Sequence, residues 1–347
     1  MTATPERLSA PLLAPLLESI LEPTLGATEV WDVERLKGGY SREMWSFDAI
    51  VKGRRRPLIL CADTSVGVVG QGPQALDRVK EAALLHSIHG GGLPVPDTLA
   101  AGGAEGLLGR PFLVMERLPG TTAIGPFHRD PRYVEHRARL ARQLADILAR
   151  IHRAEVREDI FGPRPDPTAV APQALAQWTA ELDRTPGAQT PTLARAVSWL
   201  SNHVPVHPAR VTLVHGDYRT GNILHDDGPD GPQLLSVVDW EMAHLGDPLE
   251  DVAWTQLVCW RVNTGRVGGL VGLDEWVQLY AEASGQPVDP EALRFWEVLG
   301  SVKMTCLMHR AANAVPDQRE RALLERLSGE LANELDSRLL PDDGLFD

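Results

Sequence analysis

Residues 213–254 read LVHGDYRTGNILHDDGPDGPQLLSVVDWEMAHLGDPLEDVAW, and this stretch decides the fold. Asp217 and Asn222 stand five apart in a polar loop bracketed by apolar stretches. Asp239 closes the apolar run 234–238 and is followed by Glu241. Between them, Asp226-Asp227-Gly228-Pro229-Asp230-Gly231 reads as a turn, so the segment folds as strand, loop and strand. Such a hairpin brings the ends of its arms together, and Asp217, Asn222 and Asp239 are expected to face one cavity. Phosphoryl transfer asks for such a set: oxygen ligands for Mg²⁺, and a carboxylate that orients the attacking hydroxyl and accepts its proton. His215, Gly216 and Asp247 are assigned to structure, His215 holding the loop by hydrogen bonds and Asp247-Pro248 capping the next helix.

Upstream of this stretch the pattern is sheet-like. A short amphipathic helix over 8–22 leads into strands over 30–36, 44–50 and 57–62, with Gly38-Gly39 at a tight turn between the first two. Leu76, Val79, Ala82, Ala83 and Leu84 predict a helix over 74–88, ended by Gly90-Gly91-Gly92. Residues 111–118 form a further buried strand before Pro119-Gly120. Beyond it helices dominate. Asp130-Pro131 opens one that runs to about residue 153, and others are predicted over 172–183, 190–203, 247–260, 273–283, 289–312 and 317–338, with a Pro-rich loop over 161–172. The expectation is an α+β chain with a small antiparallel-sheet N-lobe, 1–117, and a larger helical C-lobe, 118–347.

Composition removes other classes. Hydrophobic residues are 43% and charged residues 23%, ordinary for a globular protein and not for a disordered one. A net charge of -13, with Arg54-Arg55-Arg56 as the one basic run, argues against nucleic acid as a partner. No run approaches the roughly 18 apolar residues that a membrane span needs. Cys61, Cys259 and Cys306 are widely spaced and odd in number, which fits reduced thiols and a cytoplasmic location. A P-loop, G-x-x-x-x-G-K-[ST], does not occur.

The joint pattern of HGD, Asn222, DWE and GDP resembles the aminoglycoside phosphotransferase family, within the protein-kinase-like fold. The likeness extends to Trp260-Arg261, LYAEASGQPVDPEALRFWEVLG and KMTCLMHRAA, which are similar to the branch associated with acyl-CoA dehydrogenases. The resemblance implies a two-lobed kinase-like fold using ATP and Mg²⁺, with a small-molecule hydroxyl as acceptor. It implies Asp217 as catalytic base, Asn222 and Asp239 as metal ligands, and Glu241 as a supporting or second-metal carboxylate. FLVMERLPG, residues 112–120, resembles the last N-lobe strand and hinge of kinases. Met115 is then expected behind the adenine, with Glu116 C=O and Leu118 N–H pairing with its edge. Gly38, Gly39 and Ser41 fit the phosphate-covering hairpin, and Glu81 aligns with the acid that pairs with a phosphate-binding cation.

The third strand departs from the pattern. Kinases carry a lysine there that binds the α- and β-phosphates, and this family commonly has Lys or Arg. Here Cys61 occupies the position, on the same strand face as Ile59 and Asp63. Lys37, Arg42 or an arginine from 54–56 is open as a substitute. The alternative reading is a nucleotide- or metabolite-binding pseudokinase without chemistry.

Overall fold

The computed structural model describes residues 8–36, 42–64, 75–206, 210–262, 264–315 and 317–339. The chain divides into two units, Met1–Gly120 with Ser236–Met242, and Thr121–Leu235 with Ala243–Asp347.

The first unit runs α1 (Ala10–Leu25), β1 (Ala27–Arg35), β2 (Arg42–Val51), β3 (Arg54–Asp63), α2 (Arg78–Gly90), β4 (Thr98–Gly102) and β5 (Phe112–Glu116). The strands form one antiparallel sheet in the order β1-β2-β3-β5-β4. Lys52 and Gly53, with φ of 51° and 74°, make the two-residue turn that joins β2 to β3. Positive φ at both positions matches the right-handed twist of the flanking strands. Side chains alternate between faces, so the two sides of the sheet have different tasks. Trp45, Phe47, Leu58, Leu60 and Val114 pack on one side with Leu13, Leu17 and Leu21, which lie in one stripe along α1. Met44, Cys61, Leu113 and Met115 face the other way, against Ala82 of α2. Asp77 caps α2 by accepting the Lys80 N–H at 2.9 Å.

The second unit is mainly helical: α3 (Gly125–Arg129), α4 (Pro131–Glu135), α5 (Arg137–Arg153), α6 (Glu158–Phe161), α7 (Val170–Arg184) and α8 (Pro191–Asn202) precede the quoted stretch. There β6 (Thr212–Val214), β7 (Ile223–Gly228), β8 (Gly231–Val237) and β9 (His244–Gly246) form two small ladders, β6 with β9 and β7 with β8. The helices α9 (Leu249–Thr255), α10 (Val258–Arg261), α11 (Leu273–Ser284), α12 (Pro290–Ala314) and α13 (Gln318–Leu339) follow. Among the described residues no helix is long and apolar enough to cross a membrane.

Two predicted helices are each broken in two. The helix expected over 130–153 separates at His136, whose φ of -96° and ψ of 9° leave the helical region. The helix expected over 247–260 stops at Gln256, because Leu257 is extended, with ψ of 142°. The Pro-rich loop expected over 161–172 is shorter, since α7 already begins at Val170. The strand β4 is absent from the sequence reading, because Thr98-Leu99-Ala100-Ala101-Gly102 lacks the bulky alternation that marks a strand.

Phe47 is fully buried between the sheet and α1. Phe47→Ala is expected to lower stability by about 3–5 kcal/mol, through lost burial and the cavity left behind. Denaturant unfolding of the two proteins, at equal slope, checks the value.

Candidate active site

The loop after β6 is held by the helices beneath it. Asp251 of α9 is inaccessible to solvent, and its carboxylate accepts the N–H groups of His215 at 2.8 Å and Gly216 at 2.9 Å. Its Oδ2 also meets His152 Nε2 at 3.2 Å, and His152 Nδ1 meets the Tyr280 hydroxyl at 2.7 Å. Burial alone would raise the Asp251 carboxyl, but the His152 and backbone donors hold it below the usual carboxylate range. The Tyr218 hydroxyl donates to Leu144 C=O at 2.7 Å, and the Thr255 hydroxyl donates to Tyr218 C=O at 2.9 Å. Lys303 of α12, only 5% exposed, donates to Gly216 C=O at 3.0 Å and lies over the Trp254 ring at 4.6 Å. Burial lowers the Lys303 ammonium from its ordinary value, and neighbouring carboxylates oppose that shift.

Asp217 projects from this braced loop and is half-buried. Its carboxylate accepts from Asn222 Nδ2 at 2.7 Å, Trp254 Nε1 at 2.7 Å and Arg219 Nε at 3.1 Å. A 3₁₀ turn over Thr220–Asn222 delivers the amide, whose Nδ2 also donates to Asp217 C=O at 2.9 Å. With Nδ2 committed to Asp217, the Asn222 Oδ1 points elsewhere. A Cβ at Gly221 would collide with Arg219 Nη1, so glycine is what lets Arg219 fold back across the loop. The Arg219 guanidinium stacks on Trp260 at 4.5 Å. His215 Nδ1 accepts the Asp217 N–H at 3.2 Å, and Asp247 accepts the Leu249 N–H at 2.9 Å. Both perform the holding tasks expected of them.

Asp239 and Glu241 group with the first unit. Asp239 has φ of 68°, a left-handed conformation that costs a non-glycine residue energy and is concentrated at functional sites. Its carboxylate, 35% exposed, lies 3.4 Å from Arg42 Nη1. Glu241 is buried and accepts from Arg42 at 2.8 Å and Arg78 at 3.2 Å. Burial pushes the Glu241 carboxyl upward, and the two guanidiniums oppose it. Glu81 of α2 accepts from Arg42 at 3.2 and 3.4 Å and pairs with Arg78. Arg78 also donates to Asp63 at 2.6 Å. Cys61 is fully buried, with Sγ 3.8 Å from Arg42 Nη1, and burial pushes its thiol up to about 11.

Of the other predicted nucleotide residues, Met115 lies opposite Ile59 on β3 and packs with Cys61 and Ala82. The Glu116 side chain accepts from Arg56 at 2.6 Å, and its N–H donates to Asp97 C=O at 2.9 Å. Because Arg117 N–H donates to Pro57 C=O at 3.1 Å, the N–H and C=O of Glu116 lie on the side of β5 away from β3. Leu118 follows just past the end of β5. Gly38, Gly39, Ser41 and Lys37 lie outside the described residues.

The sequence reading does not reach Asp251 and His152, which brace the loop, nor Arg78, Arg219, Trp254 and Lys303 as members of the site. Arg78 and Arg219 resemble any other arginine in a chain rich in them. Trp254, an indole in a helical segment, reads from sequence as core packing or as a wall for a partly apolar ligand. Lys303 carries a signal that could have found it: it is a lone lysine amid the apolar middle of α12.

The Phosphotransferase enzyme family, APH, matches residues 33–296, a span that includes β2, α2, the Asp217 loop and Asp239. The chain belongs to this family. Among its relatives, mouse acyl-CoA dehydrogenase family member 10 is 28% identical over 248 residues, covering 70% of this chain and 22% of that protein. The chain matches 31% of the chicken acyl-CoA dehydrogenase family member 11, so it spans well under half of these relatives. Viomycin phosphotransferase from Streptomyces vinaceus is 25% identical over 292 residues, 84% of this chain and 92% of that one. A thermostable aminoglycoside phosphotransferase APH(4)-Ia, solved as a ternary complex with AMP-PNP and hygromycin B, superposes with a TM-score of 0.60 at 19% identity, covering 91% and 98% of the two chains. The chain therefore has the kinase-like α+β fold that the sequence implied, with a sheet-based N-terminal part and a helical C-terminal part, and both expected sets of relatives are found.

Asp251→Asn would set an amide N–H₂ against a donor and leave one buried bond unmade. The expected cost is about 2–4 kcal/mol at neutral pH. Because the folded carboxyl lies below its ordinary 3.8, its stabilisation is complete above that value and fades as pH falls through the lowered one. Denaturation curves across acid pH should therefore show a shallower acid limb in the variant than in the parent.

Proposed function

We propose that this phosphotransferase moves the γ-phosphate of ATP onto a hydroxyl of a small molecule, with Mg²⁺ as the required metal. The observation that carries the reading is the Asp217–Asn222 pair at 2.7 Å, on a loop whose backbone is fixed by a solvent-free carboxylate. Asp217 is the base that orients the acceptor hydroxyl and takes its proton. Its three side-chain donors fix the carboxylate before substrate arrives, so catalysis draws on positioning.

The donor chemistry fits a hard cation. Asn222 directs Oδ1 away from Asp217, and Asp239 presents the most exposed carboxylate of the first unit's charged set. Asn222 and Asp239 would hold Mg²⁺, which when bound neutralises charge on the phosphate oxygens. Glu241, gripped by Arg42 and Arg78, serves as the supporting carboxylate. Glu116 C=O and Leu118 N–H recognise the adenine edge.

The acceptor is a hydroxylated metabolite, of aminoglycoside or hydroxyacyl type. Two cations border Asp217: Arg219 at 3.1 Å, and Lys303 through Gly216 and Trp254. Their charge works against a polyamine and favours a neutral or anionic alcohol such as a hydroxyacyl compound. The acyl-CoA dehydrogenase names among the relatives agree with that choice.

The rival, a pseudokinase, is motivated by the uncharged Cys61. Asp217→Asn separates the two. For an enzyme, the variant keeps ATP affinity and folding close to the parent's while turnover drops by roughly 10²–10⁴. Parent-like turnover in the variant removes Asp217 as base, and ATP binding without turnover in the parent favours the pseudokinase.

A further inference from the structure

We infer that Arg42, entering from β2, binds the α- and β-phosphates of the nucleotide in place of the β3 cation that Cys61 has replaced. This rests on the phosphotransferase reading and deepens it.

Register explains how a residue of β2 can serve a position of β3. Met44 lies directly opposite Cys61 and Arg42 opposite Asp63, so Arg42 is the diagonal neighbour of Cys61 on the same face. Diagonal cross-strand neighbours are within reach of long side chains. The guanidinium accordingly sits 3.8 Å from the sulfur, over the site a strand-3 cation would occupy. The thiol contributes no charge at neutral pH, since burial pushes its pKa up to about 11. Arg42 itself remains a cation. Burial opposes its charge, but Glu81 and Glu241 more than compensate.

Its partners are those such a cation needs. Glu81 on α2 receives two of its N–H groups, and Glu241 receives the Nε. Asp239, the candidate metal ligand, is the third carboxylate at 3.4 Å. A phosphate oxygen held by a metal at Asp239 would lie within reach of this guanidinium, which stands 3.4 Å from that carboxylate. The Asp239 contact is the longest of the three ion pairs, and Asp239 is their most exposed member. Arg42 can exchange it for phosphate oxygens while Glu81 and Glu241 keep the guanidinium plane oriented.

Three other described cations of this unit are placed for different work. Arg78 has a side chain only 2% exposed and is enclosed by Asp63, Glu81 and Glu241, so it braces the carboxylates from behind. Arg55 is bound to Asp48 and Arg56 to Glu116. Among the described residues, Arg42 alone forms an ion pair with Asp239.

The test is calorimetric titration of the full chain with Mg·ATP, Mg·ADP and adenosine. Arg42→Met is expected to weaken ATP and ADP by roughly tenfold or more while adenosine is little changed. Adding Cys61→Lys to that variant returns the charge by the usual route and should recover most of the loss. A purely structural Arg42 would weaken all three ligands together, tracking the melting temperature. Should Arg42→Met fail to fold, Arg42→Lys carries the test: charge is kept but the planar fork is lost, and ATP is expected to weaken several-fold relative to adenosine. If a variant keeps the parent's ratio of ATP to adenosine affinity, the Arg42 assignment is wrong. A parent chain that binds no nucleotide overturns the phosphotransferase reading itself, and the assignment with it.

Discussion

Asp251 has no exposure to solvent, yet it carries a carboxylate whose two oxygens accept the N–H groups of His215 and Gly216. An ionised group so placed is tolerated only when its bonding capacity is filled, and His152 supplies the further donor. The same bonds that make the burial possible fix the backbone just ahead of Asp217. Everything chemical in the second unit hangs on that arrangement: the turn that presents Asn222, the Trp254 N–H on Asp217, and Lys303 on the Gly216 carbonyl. The loop is thus preorganised by a charge it never shows to solvent, and the Asp217 carboxylate is held in place without a ligand; on the proposed reading it would meet its substrate with little reorganisation.

In the first unit, order comes from charge sharing. Arg42 and Arg78 stand among Asp63, Glu81, Asp239 and Glu241, two cations for four carboxylates. Such a set carries surplus negative charge at its open end, at Asp239, whose left-handed backbone holds the carboxylate where an ordinary extended residue would not. A divalent cation suits that surplus. The buried members, Glu81 and Glu241, give Arg42 a fixed plane. One side of the sheet beneath them is packed on α1 and the other is left for the site, a division of labour that follows from the period of two along each strand.

Much of this was legible from residues alone. The pattern from HGD to GDP carried the family, the fold and the Asp217–Asn222 pair, because phosphoryl transfer restricts residue types at fixed spacing. Strand and helix cores were readable from periodicity, whereas breaks at His136 and Leu257 were not, since neither residue is a strong helix breaker. The vacancy at Cys61 was visible, but its solution lay in cross-strand register, which sequence does not print. Among the candidates of the sequence reading, pairing puts Arg42 on the Cys61 face and sends Arg55 and Arg56 to Asp48 and Glu116, while Lys37 lies outside the described residues. Trp254 was ambiguous for a related reason: an indole in a helix reads as core, and only coordinates reveal that its N–H reaches a carboxylate.

Phosphorus NMR reads the transfer of phosphate from a nucleotide directly. With Mg²⁺ and ATP, the full chain should deplete the γ-phosphate resonance slowly toward inorganic phosphate when water is the only acceptor. A suitable hydroxylated metabolite should speed that loss and divert it into a new phosphomonoester signal. An ATP spectrum unchanged over prolonged incubation, with the nucleotide demonstrably bound and a panel of hydroxyacyl and aminoglycoside alcohols present, would contradict phosphate transfer by this chain.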